Sequence, residues 1–302
     1  MSSTHQTLMC GVDSAERGEP LAATAPDGRS IVLVLEDEGR WGSDALATAD
    51  LPDSVRARLL ALRDDPAVKV LLARGARAGG GPRRFWIARG LPGEEVLWCW
   101  HLDRVDDLLD LPLEALIAGQ EEGPVIAGPL VLVCTHGQRD RCCATLGAPV
   151  FAALEARAPG QVMRCSHLGG HRFAATALVL PEGVLYGRLR PEDAAPLLAA
   201  VEARRIAAID QLRGRACWTR PVQAALHQWR LDSGELAYDA VHVLGRIRIG
   251  TDRWRVALST AGSGPAYCEY EVTEVEHERP VRKSCGDDAR GPARVRIARR
   301  VV

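Results

Sequence analysis

Residues Pro129–Cys143, PLVLVCTHGQRDRCC, and the shorter Cys165–His171, CSHLGGH, decide how this chain is read. Pro129 to Val133 is a short continuous apolar run, the pattern of a strand buried on both faces, and it delivers Cys134 to its C-terminal end. Open α/β sheets place their sites at such strand ends. Cys134, Cys143, His167 and His171 make the pattern C-x8-C-x23-H-x3-H. Thiolates mixed with imidazoles suit zinc, iron–sulfur and, less readily, copper. The cysteine spacing exceeds that of a zinc finger, so spacing alone leaves a zinc ion and a two-iron cluster nearly level. A catalytic Cys–His pair and unliganded core residues also remain open at this point, although no nucleophile sits in a recognisable elbow. One helical turn would bring His167 and His171 together; so would a tight turn at Gly169-Gly170.

Around this centre the chain alternates strands and helices. Upstream, Ser30 to Asp37 (SIVLVLED) reads as a buried strand, Ser54 to Asp65 as a helix and Val68 to Leu72 as a second strand. RRFWIARG and EEVLWCW read as paired strands joined at Leu91-Pro92-Gly93, and Asp106 to Leu116 as a helix that Pro112 kinks or splits. Downstream, Pro149 to Ala158 predicts a helix, Val162 to Arg164 a short strand, and ALVLPEGVLYGRL two strands joined at Pro181-Glu182-Gly183; a helix over Glu192 to Arg204 closes the unit. Pro221 to Leu231 reads as helical, and HVLGRIRIG, RWRVALST and YCEYEVTEVEHE as an antiparallel appendage. The expected division is an α/β domain over residues 1–125, a second α/β domain over 126–212 carrying the motif, and a smaller C-terminal α+β appendage over 213–302.

Composition narrows the class. With 302 residues, 47% hydrophobic and 25% charged, the chain has ample material for a large core. A net charge of -1 and the lack of any basic block argue against nucleic acid as a partner. The N-terminus has no basic start followed by an apolar run, and no apolar stretch reaches transmembrane length, so the expectation is a cytoplasmic protein without a membrane anchor. Nine cysteines, two of them adjacent, are a poor start for a secreted disulfide framework. Cys10 and Cys285, near opposite ends, could meet as a redox pair, but separate thiols are the favoured expectation. Cys99, Cys217 and Cys268, like Trp86, Trp98 and Trp100, are expected in the core.

The segments CTHGQRDRCCA, SHLGGHRFAATALVLP and LYGRL resemble the signature of the sucrase/ferredoxin-like family. GEPLAATAP, WGSDAL, LRGRACW and RKSCG extend the resemblance through most of the chain. It implies a thioredoxin-like ferredoxin domain holding one [2Fe–2S] cluster, with Cys134, Cys143, His167 and His171 as ligands. Cys142, Cys165 and His136 stand as alternative ligands. Arg139 and Asp140 are expected beside the cluster, Arg139 as a positive neighbour and Asp140 as a loop clamp, and Gly169 and Gly170 where backbone approaches it. Two neutral imidazoles in place of thiolates make the cluster less negative, which implies a potential above that of plant-type ferredoxins and one coupled to protonation. The implied function is electron transfer with a redox partner protein or reductase. A structural zinc site and a thiol oxidoreductase are the alternatives, the latter weakened by the lack of any CxxC. The family name is no evidence for sugar hydrolysis, because no pair of carboxylates suggests acid/base work.

Overall fold

The computed structural model describes residues 9–75, 81–260 and 267–302. Residues 1–8, part of the stretch read for a targeting signal, lie outside that description. Among the described residues no helix is long and apolar enough to cross a membrane.

The architecture is mixed α/β. After helix α1 (Cys10–Glu16), strand β1 (Ile31–Glu36) is buried along its whole length. Its residues alternate between two cores: Ile31, Leu33 and Leu35 enter one, Val32 and Val34 the other. That is the physical meaning of the continuous apolar run, since both faces of the sheet are covered. Two helices follow, α2 (Ala45–Thr48) and α3 (Asp53–Arg63), and then β2 (Val68–Arg74), which pairs parallel to β1. Strands β3 (Arg83–Arg89) and β4 (Val96–Leu102) form the expected antiparallel pair. The helix expected over Asp106 to Leu116 is divided at Pro112 into a 3-10 turn at Val105–Asp110 and α4 (Leu113–Ala118).

The motif-bearing half comprises β5 (Leu130–Cys134), α5 (Arg141–Glu155), β6 (Val162–Cys165), β7 (Ala177–Leu180), β8 (Val184–Tyr186) and α6 (Ala194–Glu202). Strand β6 lies parallel to β5, while β7 and β8 follow as an antiparallel hairpin. Strand β9 (Leu212–Arg215) adds to β8, and a short β2–β6 pairing joins the two halves. One nine-stranded sheet results, in the order β4-β3-β1-β2-β6-β5-β7-β8-β9. Its two halves share a core that runs from Val32 and Trp86 to Leu132, Cys134 and Leu178. Helices α5 and α6 cover the opposite face of the second half through Val150, Phe151, Leu154 and Leu197.

Helix α7 (Arg220–Ser233) packs Val222, Ala225 and Trp229 against a four-stranded antiparallel sheet of β10 (Val241–Gly250), β11 (Arg253–Thr260), β12 (Tyr267–Glu276) and β15 (Arg294–Arg300). Between β12 and β15 the chain makes a small pair, β13 (Val281–Arg282) with β14 (Arg290–Gly291). This excursion returns to the motif. Asp13 of α1 accepts from Arg282 N and from the Arg290 guanidinium, which pins the segment containing Cys285 against α1.

Candidate metal centre

One difference from the sequence reading organises the site. The helix expected to begin at Pro149 begins at Arg141, so both adjacent cysteines lie in its first turn. Asp140 makes the start: its backbone is extended and its Oδ1 accepts from Cys142 N at 3.0 Å. Successive helical residues project about 100° apart, so Cys142 and Cys143 face different neighbours. Cys143 joins the sheet core with Cys134, while Cys142 turns toward Cys10 and Ala174. Gly147, one turn later, is what lets the helix come this close. A Cβ there would lie 2.2 Å from the carbonyl oxygen of Cys134.

Cys134, Cys143 and His167 form a compact group whose ligand atoms all lie within 4.8 Å of one another, and such a group can hold a metal ion. His167 Nδ1 is 3.9 Å from Cys134 Sγ and 3.7 Å from Cys143 Sγ. The two thiols are unequal. A hydrogen bond from Cys143 pulls the Cys134 thiol well below its ordinary range despite burial, with His167 and the His136 backbone N–H assisting. As donor of that bond, Cys143 is pushed upward, and burial adds to the effect. Cys134 is therefore the thiol that ionises first, and binding of a metal ion would displace the proton of Cys143 to solvent.

The histidines sit on a turn, not a helix. Gly169 and Gly170 adopt φ values of 93° and 73°, and a 3-10 turn begins at His171. Gly170 carries a second constraint, since a Cβ there would meet the Arg213 guanidinium at 2.6 Å. That buried guanidinium donates to Gly169 O at 2.8 Å and to Thr24 O at 2.6 Å, fixing the turn from behind. The turn sets the two imidazole rings 5.3 Å apart, centroid to centroid. His171 Nε2 donates to the carbonyl of Lys283, and a carbonyl only accepts, so Nε2 carries the hydrogen. Burial lowers the pKa of this ring, although Asp140 and the Lys283 carbonyl pull the other way. A neutral His171 then presents a bare Nδ1 lone pair, and that atom is buried without any hydrogen-bond partner. The unpaired nitrogen fits a ligand role, with Lys283 orienting the ring from outside.

The other expected residues separate clearly. Arg139 is exposed and lines a surface cleft with Lys69, His136 and His167. Asp140 is buried and is a clamp in a wider sense than expected: its Oδ2 accepts from Ser284 Oγ and Cys285 N, both at 2.9 Å. Burial opposes its charge, but hydrogen bonds from Cys285, Cys142 and Ser284 hold its carboxyl far below the usual carboxylate range. Cys165 is fully buried and its sulfur belongs to neither ligand group found among the described residues. His136 donates from Nε2 to Gly42 O at 2.7 Å, lies edge-on to Trp41 and also has an unpartnered Nδ1, but its ring belongs to neither ligand group found among the described residues. Trp86 and Trp98 pack into the cores on opposite faces of the sheet.

The expectation of separate thiols at Cys10 and Cys285 is corrected. Their sulfurs lie 3.6 Å apart, and Cys142 stands between them as a third member. Sequence spacing carries no signal for this meeting, because the three residues come from α1, α5 and the segment after β13.

Comparison with known proteins agrees with this picture at the level of family. Over 99 residues, the chain is 29% identical to Altered inheritance of mitochondria protein 32 from Meyerozyma guilliermondii. That match takes in 30% of this chain and 35% of the relative, so the chain spans about a third of the curated relative it matches. No solved structure matches. The sucrase/ferredoxin-like family model matches residues 24–214, well over half of the sequence and including all four motif residues. With the Cys/His centre lying inside that matched range, the chain belongs to the sucrase/ferredoxin-like family.

Proposed function

We propose that this protein is an electron carrier that binds one [2Fe–2S] cluster through Cys134, Cys143, His167 and His171. The observation that carries the proposal is the buried, unpartnered Nδ1 of His171, beside a trio of two sulfurs and one imidazole nitrogen. A single tetrahedral ion draws its four ligand atoms to within about 3.8 Å of one another. His171 stands outside the 4.8 Å trio, and a two-iron centre, which spreads its ligands over two metals, accommodates it better. The β5-α5-β6 unit followed by the β7–β8 hairpin and α6 supports a thioredoxin-like domain around the site.

When bound, such a cluster supplies a one-electron couple. The chain's own residues do the rest. Cys134 and Cys143 are held by the closure of α5 on β5, Lys283 keeps the His171 ring in one tautomer, and Arg213 holds the histidine turn. His167 lies on the solvent side, at a cleft with Lys69 and Arg139, and this is where a redox partner would approach. Arg63 offsets Asp44 in the same cleft, so Lys69 and Arg139 leave the rim net cationic, which favours an acidic partner surface.

Anaerobic purification with visible spectroscopy, an iron and sulfide count, and electron paramagnetic resonance of the reduced protein tests the proposal. We expect two irons and two sulfides per chain, and a changed spectrum with a lower potential in His167→Cys and His171→Cys. A colourless protein holding one zinc at Cys134 and Cys143 would replace this reading with a structural zinc site. An unchanged spectrum in either histidine variant would remove that residue from the ligand set.

A further inference from the structure

We propose a second metal site, separate from the first, in which Cys10, Cys142 and Cys285 bind a zinc ion with Asp140 completing the tetrahedron. The ligand atoms of these four residues lie within 4.8 Å of one another. The three sulfurs form a near-regular triangle, with sides of 3.4 Å (Cys10–Cys142), 3.0 Å (Cys142–Cys285) and 3.6 Å (Cys10–Cys285). Zinc–thiolate bonds are about 2.3 Å long, so an ion roughly 1.2 Å above the plane of that triangle reaches all three sulfurs at once. Asp140 Oδ1 is 3.7 Å from Cys10 Sγ, close to the sulfur–oxygen edge of a zinc tetrahedron, about 3.5 Å.

The surroundings suit bound thiolates. Gly11 N–H points at Cys142 Sγ at 3.2 Å and Cys10 N–H at Cys285 Sγ at 3.4 Å, giving two of the sulfurs a backbone donor. Asp140 is in turn fixed by Ser284 Oγ and by the backbone N–H groups of Cys142 and Cys285. Cys10 and Cys142 are fully buried, and Cys285 is partly exposed. A disulfide accounts for this arrangement less well, because it would take two sulfurs to a bond of about 2.05 Å and leave the third without a role.

The consequence is a staple. Zinc would tie α1 and the segment after β13 to the start of α5, closing loops of more than a hundred residues on either side. Lys283, which orients His171, lies two residues from Cys285, so the staple also holds the outer support of the first site. Cys10 and Cys285 both fall outside residues 24–214, so the second site joins the family-matched region to both flanking parts of the chain.

The test counts zinc and iron per chain by mass spectrometry on protein purified anaerobically with a reductant. Cys134→Ser with Cys143→Ser abolishes the first site and should retain one zinc; Cys10→Ser with Cys285→Ser should lose that zinc. X-ray absorption at the zinc edge of the first variant should show three sulfurs at about 2.3 Å. If the Cys10/Cys285 variant does not fold, Co2+ added to the zinc-stripped Cys134/Cys143 variant should give charge-transfer bands of three thiolates. Absence of zinc from the Cys134/Cys143 variant, or a zinc count in the Cys10/Cys285 variant no lower than the parent's, would overturn the proposal. So would an intact mass two hydrogen atoms light in protein purified anaerobically, with peptide mapping that links two of Cys10, Cys142 and Cys285 as a disulfide. Loss of iron alone bears on the first site and leaves this one standing.

Discussion

Gly147→Ala adds a single methyl group, and its effect can be worked out from two opposing magnitudes. Alanine is the better helix former by about 1 kcal/mol, so propensity alone makes the variant more stable. The new Cβ, however, would sit 2.2 Å from the carbonyl oxygen of Cys134 and 3.3 Å from its carbonyl carbon. Real Cβ contacts stay beyond 3.0 Å, so the helix and strand must separate by roughly 0.8 Å. Neither partner is a flexible side-chain tip: one is the end of a central strand, the other the middle of a packed helix. Overpacking of this kind costs on the order of 3 kcal/mol at its upper end, which leaves a net loss of about 2 kcal/mol. The displacement acts directly on the site, because Cys143 is one turn from Gly147 and Cys134 carries the carbonyl that must yield. A shift larger than about 0.5 Å spoils a ligand set, so metal affinity should fall at least about tenfold. Urea unfolding of the loaded and chelator-treated forms, with metal content measured beside it, reads both effects. An alanine variant as stable as the parent and fully loaded would refute the argument that this close approach sets the geometry of the site.

Cys143→Ser should abolish iron binding, whereas Cys142→Ser should leave the iron-to-protein ratio above half of the parent's; equal loss in both would contradict the divergence of the two side chains. Asp13 supplies a pH test of the contact that holds the Cys285 segment on α1. Burial opposes its ionisation, but hydrogen bonds from Arg290, Arg282 N and Arg17 hold its pKa at about 2, against 3.8 for the ordinary carboxyl. Its contribution is therefore complete above pH 4 and is lost as the pH falls through about 2, amounting to about 1–2 kcal/mol once screening at half-exposed Arg290 is allowed for. Asp13→Asn should flatten the acid limb of a stability–pH curve, and an unchanged limb would count against this linkage. Arg213→Met should leave Gly169 O and Thr24 O without their donor and cost about 2–4 kcal/mol in urea unfolding. A loss below about 0.5 kcal/mol would show that the histidine turn does not depend on that guanidinium.

Strands were the most legible part of this molecule. Ile31 to Leu35 and Leu130 to Val133 are apolar at every position, and both runs are buried on two faces of one sheet. The split at Pro112 could be read because proline cannot donate within a helix. The start of α5 is not legible in the sequence: Arg141-Cys142-Cys143 carries little helical periodicity, and Pro149 suits a first helical position. Asp140, nine residues before Pro149, is the available signal, since aspartate is a strong N-cap residue.

By itself the sequence determined which atoms are available for chemistry: two thiols and two imidazoles near the end of a buried strand, on a chain whose family those motifs announce. Such features are local, and residue type with periodicity encodes them. Only the tertiary structure decided which thiols share a pocket. Helical geometry turned Cys142 and Cys143 apart, the Lys283 carbonyl left His171 Nδ1 bare, and the return of the segment after β13 onto α1 brought Cys10, Cys142 and Cys285 into one triangle. Residues so distant in sequence meet because whole elements pack, and no local pattern records that packing.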